Sequence, residues 1–125
     1  MRLVDNIIRF ERHVEGAFKL KDKDISDYFV YNTLAMECFQ AVNALIEIGE
    51  YVLTKEKLGY PSTYGEIFDI LFKNKLLNEE TLKGAKRLIF LRNLIAHEEE
   101  LLEMVSLLLN IKSLFVDEVK KRSGR

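Results

Sequence analysis

The sequence has few of the residues that interrupt helices, since its 125 residues include six glycines and one proline. A β-sandwich needs turn residues about every ten positions, so this shortage excludes one. No run of about 18 apolar residues occurs, and we therefore expect no membrane-spanning helix. The chain reaches Asp5 before any apolar stretch, so no signal peptide is expected and the cytoplasm is the predicted compartment.

Other absences narrow the possible chemistry. Cys38 is the only cysteine, which excludes an internal disulfide and a cysteine-paired metal site, and its apolar neighbours predict a buried, inert thiol. Neither a glycine-rich phosphate loop nor a His-Glu-x-x-His metal motif is present, so we expect no cofactor and no metal. The formal net charge of −1 gives no global positive field for nucleic acid, so any RNA binding has to come from a local site.

The residues that remain form long amphipathic patterns. Apolar residues make up 48% of the chain and charged residues 31%, as in ordinary globular proteins. Apolar spacings of three and four predict helices at about 3–20, 25–55, 63–75, 78–92 and 98–121. The predicted fold class is therefore all-α, an antiparallel helical bundle of four long helices plus one short helix. We expect a single domain over 1–125, with a basic, frayed tail at 120–125.

The second helix is apolar on more than one face. Its inner face is predicted to contain Tyr28, Tyr31, Leu34, Ala35, Cys38, Val42, Leu45, Ile46 and Val52, with a second flank at Phe29, Phe39 and Ile48. Such a helix must be covered on more than one side, so it is central or lies at a dimer seam. We predict a homodimer that buries mainly the second and last helices. Gly49 within this helix indicates a close crossing with another helix.

Polar residues mark the starts of three helices. Asp24 or Ser26 can cap the second helix by accepting a hydrogen bond from its free N–H groups. Thr63 and Glu66 have the spacing of a capping box at the start of the third. Asn78 precedes the fourth.

The two histidines differ in their surroundings. His13 lies among charged residues of the first helix and is predicted to be a solvated surface residue. His97 follows Arg92 and Asn93 at the junction of two helices. On a continuous helix Asn93 and His97 would share a face, whereas Arg92 and His97 would be about 140° apart, so their contact needs a distorted helix or a bridging molecule. The alternative is that Arg92 and His97 merely pair with the acids at 98–100.

The segment Arg92-Asn93-x-x-x-His97, placed after an apolar helix, resembles the signature of the HEPN superfamily. Residues 44–51, with an acid at Glu47, and residues 59–68 are similar to the second-helix segment and the proline-containing loop and third helix of its HepT-like branch. The resemblance extends in the same order from about residue 3 to residue 119.

This resemblance implies a homodimeric toxin that cuts RNA without a metal and is paired with a small MNT-like nucleotidyltransferase antitoxin. Two Arg-x4-His segments would face each other in one cleft, and the ribose 2′-OH would be the nucleophile. Arg92 would bind phosphate oxygens, and His97 would transfer protons, because an imidazole changes protonation near neutrality. Asn93 would position a phosphate or the His97 ring, and Glu47 would support the site.

The sequence departs from the family pattern after His97. The pattern usually continues His-x-Tyr, and the antitoxin attaches AMP to that tyrosine, but here Glu99 occupies the position. AMP transfer to that position therefore cannot occur in this chain. The consecutive acids at 98–100 should also repel phosphate unless they turn outward. Two alternatives stay open: a non-catalytic HEPN interaction module that binds a nucleotidyltransferase or a nucleotide, and a structural helical dimer with no site chemistry.

Overall fold

The computed structural model describes residues 2–94 and 97–123, apart from the side chain of Arg2. Its helices are α1 (Arg2–Leu20), α2 (Tyr28–Glu56), α3 (Tyr64–Lys73), α4 (Glu79–Arg92), α5 (Glu98–Ile111) and α6 (Asp117–Arg122), with a π-helical segment (Lys112–Val116) between the last two. The predicted all-α antiparallel bundle is confirmed. Within the described residues, no helix is both long and apolar enough to cross a membrane.

The longest helix, α2, lies at the centre of the bundle. It packs along α1 and also contacts α3, α4 and α5. Its buried residues are Leu34, Cys38, Ala41, Val42, Ala44, Leu45, Ile46, Ile48, Gly49, Val52 and Leu53. Of the two alternatives predicted from its two apolar flanks, a central helix or one at a dimer seam, the central position is therefore confirmed.

The first turns of α2, in contrast, are not covered by the rest of the described chain. Tyr28 was predicted to face inward but is 72% exposed, and Phe29 is 75% exposed. Phe39 on the same flank is 40% exposed, whereas Ile48 is fully buried. Helical spacing identifies an apolar face, but it does not show how far along the helix the neighbouring helices extend.

The cap of α2 differs from the prediction. Asp27 is the N-cap residue, and its carboxylate accepts hydrogen bonds from the N–H groups of Phe29 and Val30 at 2.9 and 3.2 Å. Asp24 and Ser26, the predicted caps, bond to each other in the preceding turn instead. The prediction was wrong because three of the four residues at 24–27 could each serve as a cap, and Asp24 and Ser26 bond to one another.

The caps of α3 and α4 agree more closely with expectation. The Thr63 hydroxyl accepts a hydrogen bond from Glu66 N–H at 3.1 Å. The Glu66 carboxylate completes the arrangement by accepting from the N–H of Ser62 rather than from Thr63. Asn78 caps α4 by accepting from Thr81 N–H at 2.8 Å. The capping residues therefore mark both helix starts correctly.

Gly49 lies at the crossing of α2 and α3. A Cβ atom built at this position would lie 2.9 Å from Cγ2 of Ile67 and 3.2 Å from Cζ of Phe68. A side chain there would force these buried neighbours to move. The close helix crossing predicted from this glycine is confirmed.

The predicted last helix contains an irregularity that its sequence did not indicate. The segment Lys112–Val116 is π-helical, a wider turn that changes the direction of the side chains after it. Phe115 is nevertheless buried as predicted, and its ring packs edge-on against Phe68 with the ring centroids 6.4 Å apart.

Two predictions about single residues in α1 and α2 have opposite outcomes. Cys38 is fully buried, and burial, with a smaller contribution from Glu37, raises the pKa of its thiol to about 12. His13 is not the solvated residue that was predicted: its Nδ1 lies 2.6 Å from Oε1 of Glu37, and its side chain is 25% exposed. Its partner is 24 positions away in the sequence, so its neighbours in α1 could not reveal the pair.

Candidate functional site

The Arg92–His97 segment spans the junction between two helices rather than one continuous helix. Helix α4 ends at Arg92, followed by Asn93 as its C-cap, and His97 is the N-cap of α5 with an extended backbone conformation (φ −77°, ψ 168°). Residues 95 and 96 lie outside the described residues. From the sequence, a contact between Arg92 and His97 was expected to need a distorted helix. The helix is in fact interrupted between these two residues.

The Arg92 guanidinium is held by two neutral amide oxygens. Nη1 donates a hydrogen bond to Oδ1 of Asn43 on α2 at 2.7 Å. Nε and Nη2 donate to Oδ1 of Asn93 at 3.3 and 3.1 Å. Because an amide oxygen carries no formal charge, these bonds orient the guanidinium without neutralising it.

Two aromatic rings flank the same guanidinium. Its Cζ atom lies 5.1 Å from the ring centroid of Tyr64 and 5.8 Å from that of Phe39. Both distances are within the range of a cation–π contact, which also leaves the positive charge in place. Together with the amides, the rings fix the end of a long side chain that would otherwise sample many rotamers.

Two other arginines, in contrast, form ion pairs with acidic side chains. Arg87 donates to both carboxylate oxygens of Glu103 at 2.8 and 3.0 Å, and Arg9 lies 3.3 Å from Glu47. No carboxylate of the described residues lies within ion-pair distance of Arg92. Arg92 is therefore oriented like a paired arginine but keeps its charge available for an anion.

Arg92 borders a polar cavity of about 460 Å³. The cavity is lined by Arg9, Phe39, Asn43, Ile46, Glu47, Glu50, Tyr64, Arg92 and Asn93. It brings together three of the four residues that the sequence placed at the site, namely Arg92, Asn93 and Glu47. His97 belongs to the described residues but does not line this cavity. No hydrogen bond joins its side chain to that of Arg92 in the part of the chain that the structure describes.

His97 is exposed at the start of α5. Its backbone N–H donates to Oε1 of Glu100 at 2.9 Å, so this acid is used as a helix cap. Glu98 and Glu99 are exposed in the first turn, where they interact favourably with the positive end of the helix dipole. Arg92 does not pair with any of these three acids. The alternative hypothesis, that Arg92 merely forms a surface ion pair with one of them, is therefore wrong.

An apolar cavity of about 350 Å³ lies on the other side of Arg92. Its lining residues are Tyr31, Asn32, Ala35, Met36, Phe39, Leu91, Arg92, Leu94, Leu101 and Met104. Met36 and Leu94 within it are 56% and 43% exposed. Arg92 and Phe39 thus separate a polar cavity from an open apolar surface formed by α2 and α5.

The sequence analysis assigned no role at the site to Asn43, Phe39 or Tyr64. Phe39 was treated only as part of an apolar flank, and Tyr64 as part of a similar loop segment. The available signal for Asn43 was its position as a single amide within the apolar run Ala41–Leu45 of a buried helix face. A polar side chain in such a place usually has a specific hydrogen-bond partner.

A comparison with models of protein families identifies the family of this chain. The HepT-like ribonuclease family matches residues 4–108, and the chain belongs to this family. A comparison of the sequence with curated proteins gave no match.

Solved structures with the same fold share little sequence with this chain. A Shewanella oneidensis HEPN toxin, tri-AMPylated and in complex with an MNT antitoxin, superposes with a TM-score of 0.85 and 19% identity, covering 96% of this chain and 97% of that one. The Bacillus subtilis cytosolic protein YutE, of unknown function, superposes with a TM-score of 0.78 and 18% identity, covering 98% of this chain and 92% of that one. A mutant of the toxin–antitoxin pair MntA–HpeT superposes with a TM-score of 0.79 and 16% identity, covering 99% of this chain and 98% of that one.

Proposed function

We propose that this protein is the toxin of a toxin–antitoxin pair, a metal-independent endoribonuclease that an MNT-like nucleotidyltransferase neutralises. Membership of the HepT-like ribonuclease family supports the activity. The pairing is supported by two proteins of the same fold, which are toxins or toxin–antitoxin components by their descriptions.

The observation that carries the catalytic part of this proposal is the oriented, uncompensated charge of Arg92 beside a polar cavity. Attack of the ribose 2′-OH on the neighbouring phosphorus forms a pentacoordinate phosphorane with increased negative charge on its oxygens. A guanidinium offers two parallel N–H donors to such oxygens and stays charged throughout the reaction. Arg92 is the transition-state-stabilising residue in this scheme.

His97 moves the protons in the same scheme. One imidazole removes the proton from the 2′-OH, and an imidazolium protonates the departing 5′-oxygen, so that a 2′,3′-cyclic phosphate and a free 5′-hydroxyl result. Asn93 acts through its bond to Arg92, and Glu47 acts through its pair with Arg9, which also lines the cavity.

A homodimer completes the site in this proposal. The exposed apolar side chains on α2, namely Tyr28, Phe29, Met36 and Phe39, lie on the helix that also forms the open apolar cavity. A second copy that covers this surface would bring its own Arg92 and His97 to the same cleft. Two sites in one cleft supply the local positive charge that the net charge of −1 lacks.

The second candidate function is a non-catalytic interaction module that binds a nucleotidyltransferase or a nucleotide. The acids that follow His97 favour it, because Glu98 and Glu99 are exposed beside the residue that would approach a phosphate. Glu99 also occupies the position at which the family pattern has its AMP-accepting tyrosine. An RNA phosphate must tolerate these two charges if the nuclease proposal holds.

Expression in a bacterial host separates the two functions. Wild type should arrest growth and degrade cellular RNA, whereas His97→Ala and Arg92→Ala should do neither at equal protein levels. Arg12→Ala is the matched control, because Arg12 is an exposed arginine on α1 that does not line the cavity, and it should remain toxic. Growth arrest without RNA degradation, retained by His97→Ala, would favour the interaction module.

A further inference from the structure

We propose that Asn43 is a positioning residue for RNA cleavage, which holds Arg92 in place while leaving its positive charge free for the scissile phosphate. This inference rests on the proposed function. Asn43 is not part of the Arg-x4-His pattern and precedes Arg92 by 49 positions.

Asn43 is the hydrogen-bond partner that ties the guanidinium to the central helix of the bundle. Asn93 also binds Arg92, but it is the next residue in the chain, at the C-cap of α4. Asn43 instead lies on the central helix α2, between the buried residues Val42 and Ala44. Its 2.7 Å bond to Nη1 therefore fixes the direction of Arg92 relative to the bundle.

The hydrogen bonds to the two amides also leave a defined part of the guanidinium unused. A guanidinium has five N–H groups, one on Nε and two on each terminal nitrogen. The bonds to Asn43 and Asn93 use one N–H on each of the three nitrogens. One N–H on Nη1 and one on Nη2 remain as donors for phosphate oxygens.

The neutrality of Asn43 is the functional feature in this proposal. An aspartate has nearly the same size and would bind Arg92 at least as firmly through a charge-assisted bond. It would also cancel the charge, as Glu103 does for Arg87 and Glu47 does for Arg9. If Asn43 were needed only for folding, an aspartate could replace it. If Asn43 is needed to present the charged Arg92 to a phosphate, an aspartate cannot replace it.

Asn43→Asp therefore tests the proposal in the full-length purified protein. Its melting temperature should equal or exceed that of wild type, because the bond to Arg92 is strengthened. Its kcat/KM on a short single-stranded RNA should fall by about tenfold or more, as expected when a charge-stabilising donor is weakened. The salt dependence of KM should become shallower, because one phosphate-contacting cation is lost.

Two further variants separate position from charge. Asn43→Ala should also lose activity, mainly in kcat, but should keep the wild-type salt dependence because Arg92 remains charged. Asn110→Asp makes the same substitution at an exposed position of α5 away from the cavity and should match wild type. Wild-type kinetics in Asn43→Asp, or a loss no larger than in Asn110→Asp, would overturn the proposal.

The same variants distinguish a failure of this inference from a failure of the proposed function. If wild type does not cleave RNA, cleavage is the wrong function, and the binding of the RNA oligonucleotide becomes the readout. Equal weakening of binding by Asn43→Asp and Arg92→Ala would still support the role of Asn43. Binding unchanged in Asn43→Asp, or absent in wild type, would contradict it.

Discussion

Arg87 and Glu103 join α4 to α5 through two parallel hydrogen bonds, of 2.8 Å from Nε and 3.0 Å from Nη2. The bonds from Arg87 hold the pKa of the Glu103 carboxyl below its usual range and raise that of the Arg87 guanidinium. The pair lies just before and after the interrupted segment that contains Arg92 and His97. It therefore restricts the angle between the two helices whose ends carry the candidate catalytic residues.

Glu103→Gln should make the protein less stable at neutral pH, with a difference that disappears in acid. A carboxyl whose pKa is lowered on folding contributes stability above its unfolded pKa and loses it as the pH falls through the folded pKa. The melting temperatures of wild type and variant should thus converge as the pH falls below the ordinary range of a glutamate pKa. Glu15→Gln on the exposed face of α1 is the control and should follow wild type at every pH. A constant difference between wild type and Glu103→Gln over the whole range would exclude the ion pair as its cause.

Gly49→Ala should destabilise the fold although alanine favours helices. The new Cβ would lie 2.9 Å from Ile67, and overpacking of a filled core costs about 1–3 kcal/mol, only part of which helix propensity offsets. Gly84→Ala is the matched comparison, because its nearest neighbour would be Cδ1 of Ile111 at 3.5 Å, an ordinary contact. It should stabilise the protein by up to about 1 kcal/mol. Equal effects in urea denaturation would show that the α2–α3 crossing is less tight than described.

Gly49 illustrates what the sequence could predict about the fold. Helix positions follow from apolar spacing, and Gly49 was identified as a crossing point because glycine is costly within a helix. The π-helical segment was not predictable, since the spacing of Phe115 and Val119 fits an α-helix equally well. The contact of His13 with Glu37 required knowledge of how α1 packs on α2, which no local pattern contains.

Cys38 should react slowly with a thiol reagent in the native protein. The side chain is fully buried, and the raised pKa of about 12 leaves almost no thiolate at pH 8. Labelling followed by mass spectrometry should therefore be much slower than in urea, where the thiol is exposed. Native labelling as fast as in urea would contradict the burial of Cys38 at the centre of α2.

Met36→Glu should dissociate the proposed homodimer. Met36 is 56% exposed on α2 beside the apolar cavity, and a carboxylate placed in an apolar interface carries a large desolvation cost. Phe72→Glu on α3 replaces another exposed apolar residue, 39% exposed, outside this surface, and should remain dimeric. Light scattering at micromolar concentration measures both masses. A monomeric mass for the wild type would contradict the proposed homodimer, and the site would then lack its second copy.

The candidate site was predictable only where its residues form a short pattern. Arg92, Asn93 and His97 are close in sequence, and Glu47 lies in a segment similar to the same family. Asn43, Tyr64 and Phe39 reach Arg92 from α2 and α3, and their contacts depend on the packing of three helices. A single sequence therefore identified the charged residue but could not identify the neutral groups that orient it.

The most direct test of the proposed nuclease is cleavage of a single-stranded RNA by highly purified protein in EDTA. Wild type should produce fragments that end in 2′,3′-cyclic phosphate, while Arg92→Ala and His97→Ala should each be reduced at least about a hundredfold. Arg92→Lys should also be impaired, because a point charge does not replace the two-pronged donor. Wild-type activity that EDTA abolishes, or that both alanine variants retain, would contradict the proposal.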